Sequence, residues 1–400
     1  MRDVRPNVKR LLIQLIIQHS ILERMATATK TSTENQKKKS AAREWLESVV
    51  FAIVVASAVH WLILQPYTIP TSSMESSLLT GDFLFVSKFH YGARTPKTLI
   101  QFPLTHQTFW GTGIPSYVEW IQAPQTRLPG FSSIQNNDVV VFNVPLENPG
   151  TYEKYNNVLN VPKGYPVDLR TNYIKRCIGI AGDTLQIKGR QVYINGRAAA
   201  NPPEMQLEYT VFVTQTPDDR FFRKYKMEGR STFEGGFTAF MTVQTAKAID
   251  ELDFTKTVTL TEHQPESYLF PRDTASKWSV DDFGPVYIPR KGAKITLDAR
   301  NLALYRDVIL YFDHNDDVRE ENGKIILDGK PVSEYTFNQD YYWMMGDNRH
   351  NSVDSRYWGF VPKDHVVGKA VLVWLSIDPT ESWLNIGDKV RWRRLFSVIR

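Results

Sequence analysis

SVVFAIVVASAVHWLILQPYTIPTSSMESSLL, Ser48–Leu79, passes directly from an uncharged apolar run into a crowd of hydroxyls. From Ser48 to Leu64 no residue is charged, with His60 counted as neutral, and Gln65 and Pro66 end the run. Seventeen residues rise about 26 Å as an α-helix, a little less than the ~30 Å hydrocarbon core of a bilayer. Trp45, Trp61 and Tyr67 stand where interfacial aromatics anchor the ends of such a helix. Residues 45–66 are therefore expected to form one transmembrane helix, the alternative being a buried core helix.

The flanks orient it. Lys37, Lys38, Lys39 and Arg43 precede the run, and no basic residue follows until Lys88. Basic residues stay on the cytoplasmic side, so residues 1–44 are expected inside and the rest outside a cytoplasmic (inner) membrane crossed once. WLILQPYTIP offers no convincing small-residue site of the kind that ends a cleaved signal peptide. Upstream, the apolar Leu11–Leu22 is interrupted by Gln14, Gln18 and His19 and is too short to span. It reads either as an interfacial helix or as lying before a true start at Met25.

Composition narrows the function classes. Four hundred residues, 42% hydrophobic and 23% charged, suit a water-soluble body of one large domain or two moderate ones. The net charge of 48 − 43 = +5 is small and mostly scattered, which argues against nucleic-acid binding. A lone cysteine, Cys177, forms no internal disulfide and no CxxC metal site. The eight histidines are dispersed without an HExxH spacing, so no metal or other cofactor is expected.

Beyond Pro66 the chain reads as mainly β. GDFLFVSKF, DVVVFNV, DTLQIKG, VYING, AKITLDA, KIILDG and KAVLVWLSI are short, rich in β-branched and aromatic residues, and bounded by turn signals. Asn195-Gly196 and Asp328-Gly329 are type I′ hairpin dipeptides. Between them the sequence is more charged and carries helix-like pieces, TAKAIDEL and NLALYRDVILYF. The expected architecture is a membrane-anchored antiparallel β catalytic core, 67–196 and 325–400, with an α+β insertion at 197–324.

Three clusters far apart in sequence hold candidate chemistry: PTSSMESSLLTGD (Pro70–Asp82), YIKRCIGIAGD (Tyr173–Asp183) and GDNRHNSVDSRYWG (Gly346–Gly359). His350 lies near Asp347 and Asp354, but such a group on a loop is a weak metal site and a weak triad. A serine/lysine pair is the stronger candidate. A serine hydroxyl needs a base to take its proton, and lysine serves only when its amine is neutral. Burial achieves that by penalising the ammonium. Lys175 fits, with Ile174, Cys177, Ile178 and Ile180 available as an apolar wall. The competing reading has Lys175 and Arg176 alternating on a strand with one facing solvent.

In order, IPTSSMESSLLTGDFLFVSKFHYG, DVVVFNVP, YIKRCIGIAGDTL and MMGDNRHNSVDSRYWGFVP resemble the motifs of the type I signal peptidase (leader peptidase) family in its membrane-anchored bacterial form. These four stretches total 64 residues, and the closing motif is nearly complete. The resemblance implies a serine endopeptidase in which Ser73, before Met74, is the nucleophile and Lys175 the general base. It implies an oxyanion hole from the Ser73 N–H and the Thr71 hydroxyl, with Ser352 orienting the lysine amine and Asp354 and Arg356 as a supporting ion pair. The chain departs from the familiar pattern at Ser72, where glycine is usual, and at Ser76, where proline is usual.

The implied substrates are exported preproteins with Ala-x-Ala-like sites at the outer face of the lipid bilayer, bound as an extended strand. A monomer is expected. Two other readings remain: a related serine/lysine self-cleaving peptidase, and an inactive membrane-anchored β-domain that only binds. The closing KVRWRRLFSVIR sets Trp392, Leu395, Phe396 and Ile399 at helical spacing among four arginines, a pattern for lipid contact or for packing on the domain.

Overall fold

The computed structural model describes residues 40–103, 105–146, 151–154, 164–227, 229–273 and 275–400. Lys37–Lys39, the apolar Leu11–Leu22 and the alternative start at Met25 lie outside the described residues. The chain divides into two compact units, residues 1–57 and 58–400.

Helix α1, Ala41–Leu62, is the one helix among the described residues that is long and apolar enough to cross a membrane. None of its residues is buried. It begins a few residues before the apolar run because the Ser40 hydroxyl accepts the Arg43 N–H, satisfying a free donor at its start. It stops before the run ends. Strand β1, Leu64–Thr68, pairs antiparallel with β2, Asp82–Ser87, starting at Leu64↔Ser87. Pro66 cannot sit in a helix interior, but it is tolerated here because β1 is the last strand of its sheet.

The next strands in chain order are β3 (Val139–Asn143), β4 (Asn172–Gly179), β5 (Thr184–Lys188), β6 (Gln191–Ile194), β7 (Arg197–Ala198), β8 (Gln206–Val213), β9 (Ser231–Phe233), β10 (Gly236–Thr242), β11 (Thr255–Leu260) and β12 (Phe283–Tyr287). They are followed by β13 (Lys294–Thr296), β14 (Val318–Glu321), β15 (Lys324–Leu327), β16 (Lys330–Pro331), β17 (Glu334–Thr336), β18 (Tyr341–Met345), β19 (Val361–Pro362), β20 (Val366–Ser376) and β21 (Ser397–Val398). The main sheet runs β1-β2-β20-β3-β4-β18-β19, with β21 added on β20. Its pairings are all antiparallel. The fold is mainly β, as the sequence pattern predicts.

β3 is buried along its whole length, and its alternating side chains divide two cores. Val139 and Val141 pack with Met74, Leu78 and Leu84, beneath the turn that carries Ser73. Val140 and Phe142 pack with Cys177, Met344 and Trp358 on the other face. β4 lies between β3 and β18, so Lys175 stands opposite Val140, and Arg176 opposite both Val139 and Met345.

The two turn dipeptides behave as read. Asn195 and Gly196, at φ 52° and 79°, join β6 to β7, and Asp328 and Gly329, at φ 50° and 74°, join β15 to β16. Type I′ turns need positive φ at both central residues, which asparagine, aspartate and glycine adopt at least cost.

The region 197–324 has two parts. Strands β8–β11 form one antiparallel sheet with the helices Asp219–Lys224 and Val243–Asp250, an α+β body with its own core of residues such as Leu207, Val211, Phe237 and Ile249. By contrast, β12 pairs with β5, and Phe283, Ile309 and Phe312 share one core with Ile178, Leu185 and Trp343. This second part thus shares its core with β4, β5 and β18.

Candidate active site

Three separate stretches supply the site. Ser72–Met74 forms a single 3-10 turn whose Met74 is fully buried, pinning the turn to the core. Lys175 comes from the middle of β4. The third stretch begins at Gly346, directly after β18, and runs to the short helix Ser355–Trp358.

Lys175 Nζ and Ser73 Oγ are hydrogen-bonded. Lys175 is 2% exposed, and burial pulls its pKa down to about 8, with Asp354 and Asp347 opposing the shift and Arg356 adding to it. A minor but usable fraction of the amine is therefore neutral near neutral pH, as a general base requires. The expected apolar wall is not a single surface: Ile174 joins the core under Met74, Cys177 and Ile180 the opposite core, and Ile178 a third. Lys175 is desolvated because its strand is central.

Arg176 does not face solvent either. Its Nε and Nη2 donate to the two Asp347 oxygens at 2.8 and 2.7 Å, and both side chains are buried. A second buried pair follows. Arg356 donates to Asp354 from Nε at 2.9 Å and from Nη2 at 2.8 Å. Burial disfavours the Asp354 charge, but Arg356 and the Gly346 N–H at 3.0 Å hold its pKa below the usual carboxylate range. Asp354 also caps the short helix by accepting the Arg356 N–H. Asp354 and Asp347 are thus committed to separate arginines.

The closing stretch fastens the serine turn. Asn348 donates its main-chain N–H to Ser73 O and its Nδ2 to Ser72 O, both at 3.2 Å. Asn351 Nδ2 donates to Ser72 Oγ at 2.9 Å. The adjacent hydroxyls are therefore sorted by their partners: Ser72 is held by Asn351, while Ser73 meets Lys175. Thr71 is exposed, with extended backbone, and its side chain does not cap the turn. Ser352 is buried beside the turn, and its Oγ makes no hydrogen bond among the described residues.

Ser76 explains one departure from the family pattern. Its φ is +69°, a left-handed conformation that the proline ring cannot adopt. Its Oγ accepts Gln206 Nε2 at 2.8 Å. Gln206 and the asparagines carried no signal in one sequence, because their roles depend on contacts across more than a hundred residues.

One cluster among the described residues has metal-ligand composition: His263, Asp281 and His350, with ligand atoms within 4.8 Å of one another. His350 Nδ1 accepts the Glu208 N–H at 2.9 Å, which leaves the proton of the neutral ring on Nε2. That nitrogen donates to Asp281 Oδ1 at 2.8 Å. Arg190 Nε, 3.3 Å from Asp281 Oδ2, already supplies a cation. The chemistry of this donor set fits a hydrogen-bonded link better than a metal site.

The basic tail is not a continuous helix. Trp392–Arg394 is a 3-10 turn and Ser397–Val398 is β21. Arg391 pairs with Asp378 and Arg394 with Asp82, so the tail packs on the domain beside the serine turn. Trp392 and Phe396 remain exposed.

A family model described as signal peptidase, peptidase S26, matches residues 42–250 and 288–375. The chain is similar to signal peptidase I of Buchnera aphidicola subsp. Schizaphis graminum, 25% identical over 352 residues, covering 86% of this chain and 79% of that protein. It is similar to signal peptidase I of Haemophilus influenzae, 24% identical over 380 residues, covering 93% and 81%. Signal peptidase I of Rickettsia massiliae is 28% identical over 202 residues, covering 49% and 61%.

Proposed function

We propose, on the premise that this chain belongs to the signal peptidase (peptidase S26) family, that Ser73 is its nucleophile and Lys175 its general base. Its activity is the removal of signal peptides from preproteins as a membrane-associated serine endopeptidase. The observation that carries the residue assignment is the hydrogen bond between Ser73 Oγ and the buried Lys175 Nζ.

In the proposed reaction, neutral Lys175 takes the Ser73 proton as Oγ attacks the scissile carbonyl, and its ammonium then protonates the leaving amine. Water attacks the resulting acyl-enzyme with Lys175 again as base. The Ser73 N–H and the Thr71 hydroxyl stabilise the oxyanion; the exposure of Thr71 suits a donor that meets substrate, and losing one such donor costs about 3 kcal/mol. Ser352 orients the amine during turnover, its unpartnered buried Oγ being available for that bond. Asp354 and Arg356 support the lysine through charge and through the Gly346 N–H.

The substrate is an exported preprotein with small residues one and three positions before the bond, held as an extended strand. Only a few residues separate the end of α1 from Ser73, so cleavage takes place close to the membrane surface. Lys37–Lys39 and Arg43, which precede the uncharged apolar run, favour a cytoplasmic amino terminus and a catalytic body on the outer side of the inner membrane. Because Ser73, Lys175 and Ser352 come from one chain, a monomer is sufficient.

The test uses the full chain in detergent with a peptide carrying an Ala-x-Ala site. Wild type cleaves it, Ser72→Ala stays within about tenfold, and Ser73→Ala and Lys175→Ala lose at least ~10⁴-fold. Cleavage undiminished in Lys175→Ala would defeat the assignment.

A further inference from the structure

Strand β8 of the α+β body begins at Gln206, which is 4% exposed and makes hydrogen bonds to two other parts of the site. Its main-chain N–H donates to Asp347 O, and its carbonyl accepts the Arg349 N–H, both at 2.9 Å. These bonds lay the first residue of β8 parallel to the closing stretch at Asn348. Its side chain reaches further: Nε2 donates to Ser76 Oγ at 2.8 Å. One residue of the inserted body thus ties the closing stretch to the serine turn, three residues beyond Ser73.

A backbone at φ +69° is costly for a residue with a side chain and persists where its surroundings hold it. The Gln206 amide is the side-chain contact made to the Ser76 hydroxyl among the described residues. Two residues along β8, the Glu208 N–H donates to His350 Nδ1, and His350 Nε2 donates to Asp281. This second link fixes β8 on the closing stretch and leaves the Gln206 side chain directed at Ser76.

We propose that Gln206 is a positioning residue for the proposed Ser73/Lys175 reaction, holding Ser76 so that the serine turn keeps the Ser73 hydroxyl against Lys175. The inference rests on the catalytic reading above. It gives the inserted body a role in the chemical step, carried by a single amide.

The test is a double-mutant cycle on the full chain in detergent, with kcat and KM measured on an Ala-x-Ala peptide for Gln206→Leu, Ser76→Ala and the pair. Gln206→Leu removes the amide and keeps both main-chain bonds. Each single variant is expected to lower kcat about tenfold with KM within twofold, since small misplacements at a reacting centre fall on the rate. The pair is expected to lose no more than the worse single variant, because the two share one interaction. The proposal is overturned if Gln206→Leu keeps kcat within twofold of wild type, if the loss lies in KM alone, or if the two losses multiply. Should Gln206→Leu fail to fold, Ser76→Ala alone must show the same kcat loss, and a wild-type kcat in it overturns the proposal. Persistent cleavage by Ser73→Ala overturns the catalytic reading itself, whereas its loss there beside wild-type kcat in Gln206→Leu overturns only this inference.

Discussion

Gly346 and Ser352 approach so closely that a methyl group on Gly346 would lie 2.3 Å from Ser352 Oγ, and 2.5 Å from the main-chain oxygen of Ser73. The Gly346 φ is not in the left-handed region, so the requirement is for space and not for backbone freedom. Gly346→Ala must therefore move either Ser352 or the serine turn. Overpacking of this kind costs about 1–3 kcal/mol, and the second atom in the way is backbone. The expected result is a lower melting temperature together with a fall of about 100-fold in kcat. Unchanged kcat would show that the turn yields without consequence for Ser73.

As the proposed general base, Lys175 is expected to give the reaction its pH dependence. With its pKa pulled down to about 8, the neutral fraction falls about tenfold for each pH unit below that value. In the proposed mechanism kcat at saturating substrate rises with unit slope through pH 6–7 and levels above about 8. Lys175→Arg is expected to be inactive at every pH, because a guanidinium does not give up its proton. A flat profile between pH 6 and 9 would remove Lys175 from the role of base.

The same shift has a stability consequence of opposite value. A lysine whose folded pKa lies below its unfolded value binds fewer protons when folded, so stability rises with pH between the two values. The window runs from about 8, the folded value, to 10.5, the ordinary one. Below it the full cost of the buried charge is carried, on the order of 3 kcal/mol. Lys175→Met keeps the packing and removes that cost, so its melting temperature is expected to exceed wild type at pH 7. The gap should shrink as pH approaches 10. A variant less stable than wild type at pH 7 would mean that the contact with Ser73 outweighs desolvation.

What could be read from the sequence and what could not divide along one physical line. Period-two patterning, Asn195-Gly196 and Asp328-Gly329 report on neighbours in the chain, and they located β6, β15 and their turns. The uncharged run found α1, but the ends of α1 depended on Ser40 and on the pairing of Leu64 with Ser87, which hydropathy does not see. In the sequence, the roles proposed for Ser73 and Lys175 come from motif resemblance alone, since local pattern allows one of Lys175 and Arg176 to face water. The pairing of Arg176 with Asp347, 171 positions away, is what buries both, and such a contact leaves no trace in a single sequence. Gln206 was invisible for the same reason.

Arg176 and Asp347 make the last prediction, because a buried ion pair answers differently to single and double replacement. Arg176 is next to Lys175 in β4, and Asp347 is next to Gly346, so the pair ties the lysine strand to the closing stretch. Both carboxylate oxygens of Asp347 accept from the same guanidinium. Removing one partner strands a charge in a dry site and costs about 3–5 kcal/mol, whereas replacing both by apolar residues of similar volume is often neutral. Arg176→Met is therefore expected to lower the melting temperature markedly, and Arg176→Met with Asp347→Leu to recover most of the loss. Asp347 also opposes the downward shift of Lys175, so the double variant should move the alkaline plateau of kcat to lower pH. Recovery of stability without that movement would confine the pair to holding the two stretches together.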